Sequence, residues 1–90
     1  MIYIALICQN CIPLEFHTFD NFELAKEKLI QLSKEYKFNK LNFNGEHINI
    51  TKENFEDYFI QCGDMWQLKD KYLLYHKRGY KQLYIRRCLY

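Results

Sequence analysis

Valine is absent from this 90-residue chain, and alanine (Ala5, Ala25), glycine (three) and proline (Pro13) are scarce. Three glycines cannot build a phosphate-cradling loop, and no P-loop, G-x-G-x-x-G, G-x-S-x-G, H-E-x-x-H or EF-hand pattern occurs. No apolar run approaches the roughly 18 residues of a membrane-spanning helix, so no membrane partner is expected. Met1 to Ile7 is apolar, but no Lys or Arg precedes it and Gln9-Asn10 stop it. A signal peptide is therefore not expected, and a cytoplasmic location is. There is no repeat, no low-complexity tract and no linker-like stretch.

The depleted residues have G/C-rich codons. The over-used ones (Lys, Asn, Ile, Tyr, Phe) have A/T-rich codons. This composition suggests a low-GC bacterium, a mobile element or a virus of one. With 49% hydrophobic and 27% charged residues and a net charge of +2, the chain is neither a disordered tail nor a strongly charged nucleic-acid glue. Its length predicts one domain over residues 1–90. Aromatic residues make up 18%, eight of them tyrosine, so a small core must be filled by few bulky rings. Tyrosine surplus also suggests a contact surface, because the hydroxyl needs a partner.

The mild net charge hides an asymmetry. Residues 1–63 carry six Lys against nine Asp or Glu, a balance of −3. Residues 64–90 carry seven Lys or Arg against Asp64 and Asp70, a balance of +5, and hold all three arginines. A basic face for an anionic partner is one implication; terminal cations that merely meet solvent are the other.

Ile2 to Cys8 reads as a buried strand and Ile12 to Phe19 as a second, alternating one, joined by a short polar turn into a hairpin. Pro13 lacks a ladder donor, which predicts that this strand lies at an edge or begins late. Asp20 with Glu23 forms a potential capping box for an amphipathic helix bearing Phe22, Ala25, Leu29, Leu32 and Tyr36. Asn44-Gly45 predicts a hairpin within Leu41 to Ile50. Thr51 is placed to cap a second helix with the stripe Phe55, Tyr58, Phe59, Cys62, and Gly63 to stop it. Residues 64–78 fit two readings. Asp64 to Gln67 resembles a capping box, and Met65, Leu68, Tyr72 and Tyr75 have helical spacing, which favours a helix. The other reading is a strand over Tyr72 to Tyr75 with Lys77-Arg78-Gly79 as a hairpin loop. Tyr80 to Tyr90 alternates as a strand. The class is α+β: a two-layer, largely antiparallel sheet of hairpins with helices packed on one face, in the order β-β-α-β-β-α, a short helix or strand, and a final strand.

Cys8-Gln9-Asn10-Cys11 is a C-x₂-C on a turn that could hold zinc with two more ligands from Cys62, Cys88, His17, His47 and His76. No second closely spaced ligand pair exists, so four reduced cysteines acting as small apolar residues explain it without metal, and no cofactor is expected. His17, His47 and His76 are scattered. A nuclease would need His47, His76, Arg86 and Arg87 to converge, and nothing in the spacing requires it. The C-terminal segment interleaves rings and cations: Tyr72, Tyr75, His76, Lys77, Arg78, Tyr80, Lys81, Tyr84, Arg86 and Arg87. That composition suits protein contacts, where Tyr and Arg are favoured anchors. It also suits unpaired bases and phosphates.

With no catalytic motif, the sequence predicts a small non-enzymatic binding or inhibitor protein that occludes a surface of a larger protein or nucleoprotein complex. A phage or mobile-element accessory role of the anti-defence type, acting on a host complex, fits its size and composition. An RNA- or DNA-binding module built on the C-terminal segment is the alternative. A small-ligand (nucleotide) sponge or weak ribonuclease is a further one, and a homodimer is compatible with each.

Overall fold

The first hairpin follows directly from residue type. Asn10 and Cys11 take the left-handed conformation (φ 52 and 69) that a two-residue turn between twisted strands demands. The turn therefore falls one residue later than the Gln9-Asn10 break suggests. It joins β1 (Ile2–Gln9) to β2 (Ile12–Phe19), which pair antiparallel from Tyr3↔Phe19 to Gln9↔Ile12. The register shifts near Ile7/Cys8, where Glu15 and Pro13 face consecutive β1 residues and Leu14 is left over as a bulge. β2 lies at the sheet edge, where Pro13 sacrifices no ladder bond that matters.

The computed structural model describes residues 1–38, 48–76 and 79–88. After β2 comes α1 (Phe22–Glu35), capped by Asn21 rather than Asp20: the Asn21 Oδ1 accepts from the Leu24 amide at 2.9 Å. Ala25, Leu29 and Leu32 form its buried stripe. The predicted Asn44-Gly45 hairpin falls on residues 39–47, outside the described ones. Ile48 and Ile50 are buried but belong to no strand.

The second helix is far shorter than its stripe implies. Thr51 and Asn54 exchange hydrogen bonds, amide to side chain in both directions, and shape the entry turn. The helix itself, α2, covers only Phe55–Tyr58. At Phe59 the backbone turns extended (φ −115, ψ 148), and β3 (Phe59–Cys62) begins. Gly63 (φ +60) is thus not a helix stop but part of the hairpin turn to β4 (Met65–Leu68). The helix favoured for residues 64–78 is likewise replaced: β4, a single 3₁₀ turn (Asp70–Tyr72), and β5 (Leu74–His76) paired to β6 (Gly79–Cys88). Tertiary pairing overrides the local pattern here. Joining the sheet gives these residues ladder bonds and buries Phe59 and Leu68, while the rest of β3 stays exposed.

Every pairing is antiparallel, in the order β2-β1-β6-β4-β3, with β5 also on β6. β6 is therefore central: β1 along one side, β4 and β5 sharing the other. Where the chain leaves β4, the buried Gln82 substitutes for the missing ladder. Its Nε2 donates to the Leu68 carbonyl (2.9 Å), and its Oε1 accepts from the Leu83 amide (2.8 Å). Helix α1 packs across β1, β2 and β6, giving the expected two-layer α+β arrangement. The core between the layers holds Ala5, Ile7, Ala25, Leu29, Leu32, Phe38, Phe55, Phe59, Leu68, Leu83 and Ile85 among its residues.

Candidate functional site

Strand alternation sends Ala5, Ile7, Leu83, Ile85 and Leu68 toward the helix and their neighbours to the opposite side. Register then aligns those neighbours into rows that cross the whole sheet. One row runs Phe16–Leu6–Tyr84–Gln67–Ile60, one residue from each of five strands. The next runs Thr18–Ile4–Arg86–Met65–Cys62. The ends of the first row are the least covered, with Phe16 at 65% and Ile60 at 46% exposure. Leu14, two residues before Phe16, is exposed as well. At the centre, Leu6, Met65, Gln67, Tyr84 and Arg86 line a shallow cleft of about 390 Å³. Burial, before any charge effect, pushes the Tyr84 phenol pKa up, so its hydroxyl stays a donor across the physiological range. Among the described residues, this open face carries a single charge in the two rows, that of Arg86.

Among the described residues, the ring-and-cation segment is divided between the two faces of the sheet. Tyr84 and Arg86 face the open side. Arg87 points the other way and is held by Asp64: Nε and Nη2 both donate to Oδ1, at 2.8 and 2.6 Å, and its guanidinium lies 5.6 Å from the Trp66 ring. Tyr72 packs edge-on to Tyr58, with Lys71 over its ring. Tyr80 borders the core, its hydroxyl 3.7 Å from the Cys11 thiol. Lys81 is half-buried opposite Leu74. Lys77 and Arg78 fall outside the described residues, as do the side chains of Tyr75 and His76.

The four cysteines are not brought together, and of the nuclease set His47 and the His76 side chain lie outside the described residues. Cys8 and Cys11 sit at one end of β1, while Cys88 opposes Ile2 at the other, about 20 Å away at the rise of a strand. Cys62 lies at that far end too, beside Met65. Among the described residues no three His, Cys, Asp or Glu side chains gather around a point. Burial, with the nearby Cys11, pushes the Cys8 thiol pKa up, which makes it a poor thiolate. Arg86 and Arg87, adjacent in β6, point to opposite faces.

Two features escape a reading of the sequence alone. His17 Nε2 and the Tyr36 hydroxyl donate to the two oxygens of Glu15, at 2.7 and 2.8 Å, on the helix side of β2. These bonds lower the Glu15 pKa and raise that of Tyr36. The second is an aromatic cleft of about 480 Å³ between the start of α1, α2 and the β3–β4 hairpin. Phe22, Phe55, Phe59 and Trp66 form its walls, with Glu56, Ile60, Gln61 and Lys69 around them. Phe22 and Trp66 meet at 4.7 Å between centroids, and Phe55 stacks on Phe59 at 4.2 Å. Helical spacing marks Phe55 and Phe59 as core but gives no sign that Trp66 will fold back against Phe22. No protein-family model matches the chain, and comparison with curated proteins and with solved structures returns no match.

Proposed function

We propose that this chain is a non-catalytic binding protein that lays the open face of its sheet on a larger protein partner and occludes part of that partner's surface. One observation carries the reading: the row Phe16–Leu6–Tyr84–Gln67–Ile60 ends in exposed Phe16 and Ile60 at the two edges of the sheet, with Leu6 and Tyr84 half-buried between them. Tyr84 and Arg86 at its centre are the residue types that anchor protein interfaces. A nucleic-acid partner is less well served. Its affinity would rest on several phosphate contacts, and the two rows offer one cation. A second copy of the chain on this face is also disfavoured. With a two-fold axis passing beside Arg86, the two guanidinium groups would meet with no carboxylate in either row to neutralise them. The better partner presents an apolar surface with an acidic group opposite Arg86. With the A/T-rich composition, a host complex of a low-GC bacterium is the first place to look, in keeping with an anti-defence role.

The test is a matched capture from lysate of such a host. It compares the parent chain, a Phe16→Ser/Tyr84→Ala face variant, and Lys34→Glu on the exposed side of α1 as control. A defined protein should be retained by the parent and by Lys34→Glu, and lost by the face variant. Equal retention by all three, or capture only of nucleic acid that moderate salt releases, rejects the proposal.

A further inference from the structure

We infer that the chain pairs with a second copy of itself through the outer edge of β2, antiparallel, about a two-fold axis at Phe16. This edge is distinct from the open face and independent of the partner proposed there. β2 pairs with β1 on one side, and among the described residues no strand pairs with its other side. An unpaired strand edge is a template for a further strand, and proteins guard such edges with Lys, Pro or bulges. In β2 the guards stand at one end only, as Pro13 and the bulge at Leu14. Residues 15–19 (Glu-Phe-His-Thr-Phe) contain no Lys, Pro or Gly. The same stretch exposes two large apolar side chains, Leu14 and Phe16.

The side chains select the register. A two-fold axis normal to the sheet keeps every residue on its own face, so it must pass through a residue of β2 and not between two. An axis at Glu15 would set two carboxylates against each other. An axis at His17 would oppose two imidazoles and leave Glu15 facing Phe19. An axis at Phe16 places Glu15 opposite His17 of the other copy, and does so twice. Both side chains lie on the helix side, joined to each other at 2.7 Å, and each keeps about a third of its surface accessible. In the pair, each imidazole stands between two carboxylates, and an imidazolium can donate one N–H to each. On the open side the two Phe16 rings meet, and Leu14 faces Thr18 of the other copy, which covers the exposed apolar groups. The pairing spans residues 14–18 and stops short of Pro13, which has no N–H to offer. Both open faces then lie on the same side of one continuous sheet.

The test is sedimentation velocity of the purified chain, with a reductant present because Cys11 and Cys62 are exposed. The parent is expected to pass from monomer to dimer with a Kd of about 10–300 µM, a weak association in keeping with a short seam. Phe16 meets itself on the axis. Phe16→Lys alone and Phe16→Glu alone should therefore each weaken the dimer at least about tenfold, and an equimolar mixture of the two should associate again. Phe16 is exposed, so both variants should keep the parent's fold, which a melting curve checks. Glu15→Lys and His17→Glu should likewise be monomeric apart and paired when mixed. Tyr84→Ala, on the open face, should leave the dimer unchanged. A parent that stays monomeric up to about 500 µM overturns the inference. So does a dimer that survives Phe16→Lys, a mixture of either kind that does not recover, or a dimer lost with Tyr84→Ala.

Discussion

The two faces of the sheet are built from the same strands yet have opposite fates. Along β6, Leu83 and Ile85 are fully buried under α1, while Tyr84 between them looks out over the open side. Along β1, Ala5 and Ile7 are buried, while Ile4 and Leu6 are only partly covered. The helix side is purely apolar at these positions, whereas the open side mixes Leu6, Ile4 and Met65 with Gln67 and Arg86, and among the described elements α1 packs on the former. They thus differ in both composition and coverage, and the half-apolar open side is the surface on which the proposed partner contact rests.

The sharpest way to break this comparison uses adjacent residues of one strand. Leu83→Ala opens a cavity beneath the helix and should cost about 3 kcal/mol or more in urea unfolding. Tyr84→Ala should cost under about 1 kcal/mol, since it empties a surface cleft. Similar losses from both would mean that the open face is packed after all. A smaller but still large effect is expected at Gly79 (φ +125), where a Cβ would stand 1.9 Å from Asn10 Oδ1. That oxygen accepts from the Tyr80 amide at 3.1 Å and ties the first turn to β6. Gly79→Ala should therefore lower stability by about 2 kcal/mol, seen as a lower melting temperature with secondary structure retained.

The smallest effect tests the covered side at its margin. The hydrogen bonds from His17 and Tyr36 hold the Glu15 pKa below its ordinary value of 4.5. A lowered carboxylate pKa adds stability at higher pH, and that stability is lost as pH falls through the folded-state value. Melting temperature should therefore decline below about pH 4.5 more steeply in the parent than in Glu15→Gln. Parallel acid limbs in the two proteins would remove Glu15 from the account.

Local signals made the periphery of the fold legible. Alternation marked β2 and β6, Pro13 marked an edge, and the Phe22–Tyr36 stripe marked α1. Between Thr51 and Tyr75 local signals predict the helix start at Phe55 and allow the strand that becomes β5, but the stripe Phe55, Tyr58, Phe59, Cys62 hides the switch to β3 at Phe59. The deciding interactions there are remote in sequence: β4 pairs with β6, and Asp64 holds both the backbone and the guanidinium of Arg87. The site shows the same limit. Tyr84 and Arg86 were named from composition, but Phe16, Leu6 and Ile60 join them only through register. Arg87, although adjacent to Arg86, turns to the other face.

The central place of β6 also has a consequence in time. β1 and β4, the strands that flank it, end at residues 9 and 68, which is 70 and 11 residues before it begins at residue 79, and have no ladder in common without it. Until residues 79–88 leave the ribosome, the β1–β2 and β3–β4 hairpins are two unconnected pieces, each with an exposed edge. Such non-local closure is slow and prone to wrong pairings. Residues 79–88 are thus a late-arriving keystone, and a ribosome stalled short of them would hold two apolar half-sheets open to aggregation or to capture by a chaperone.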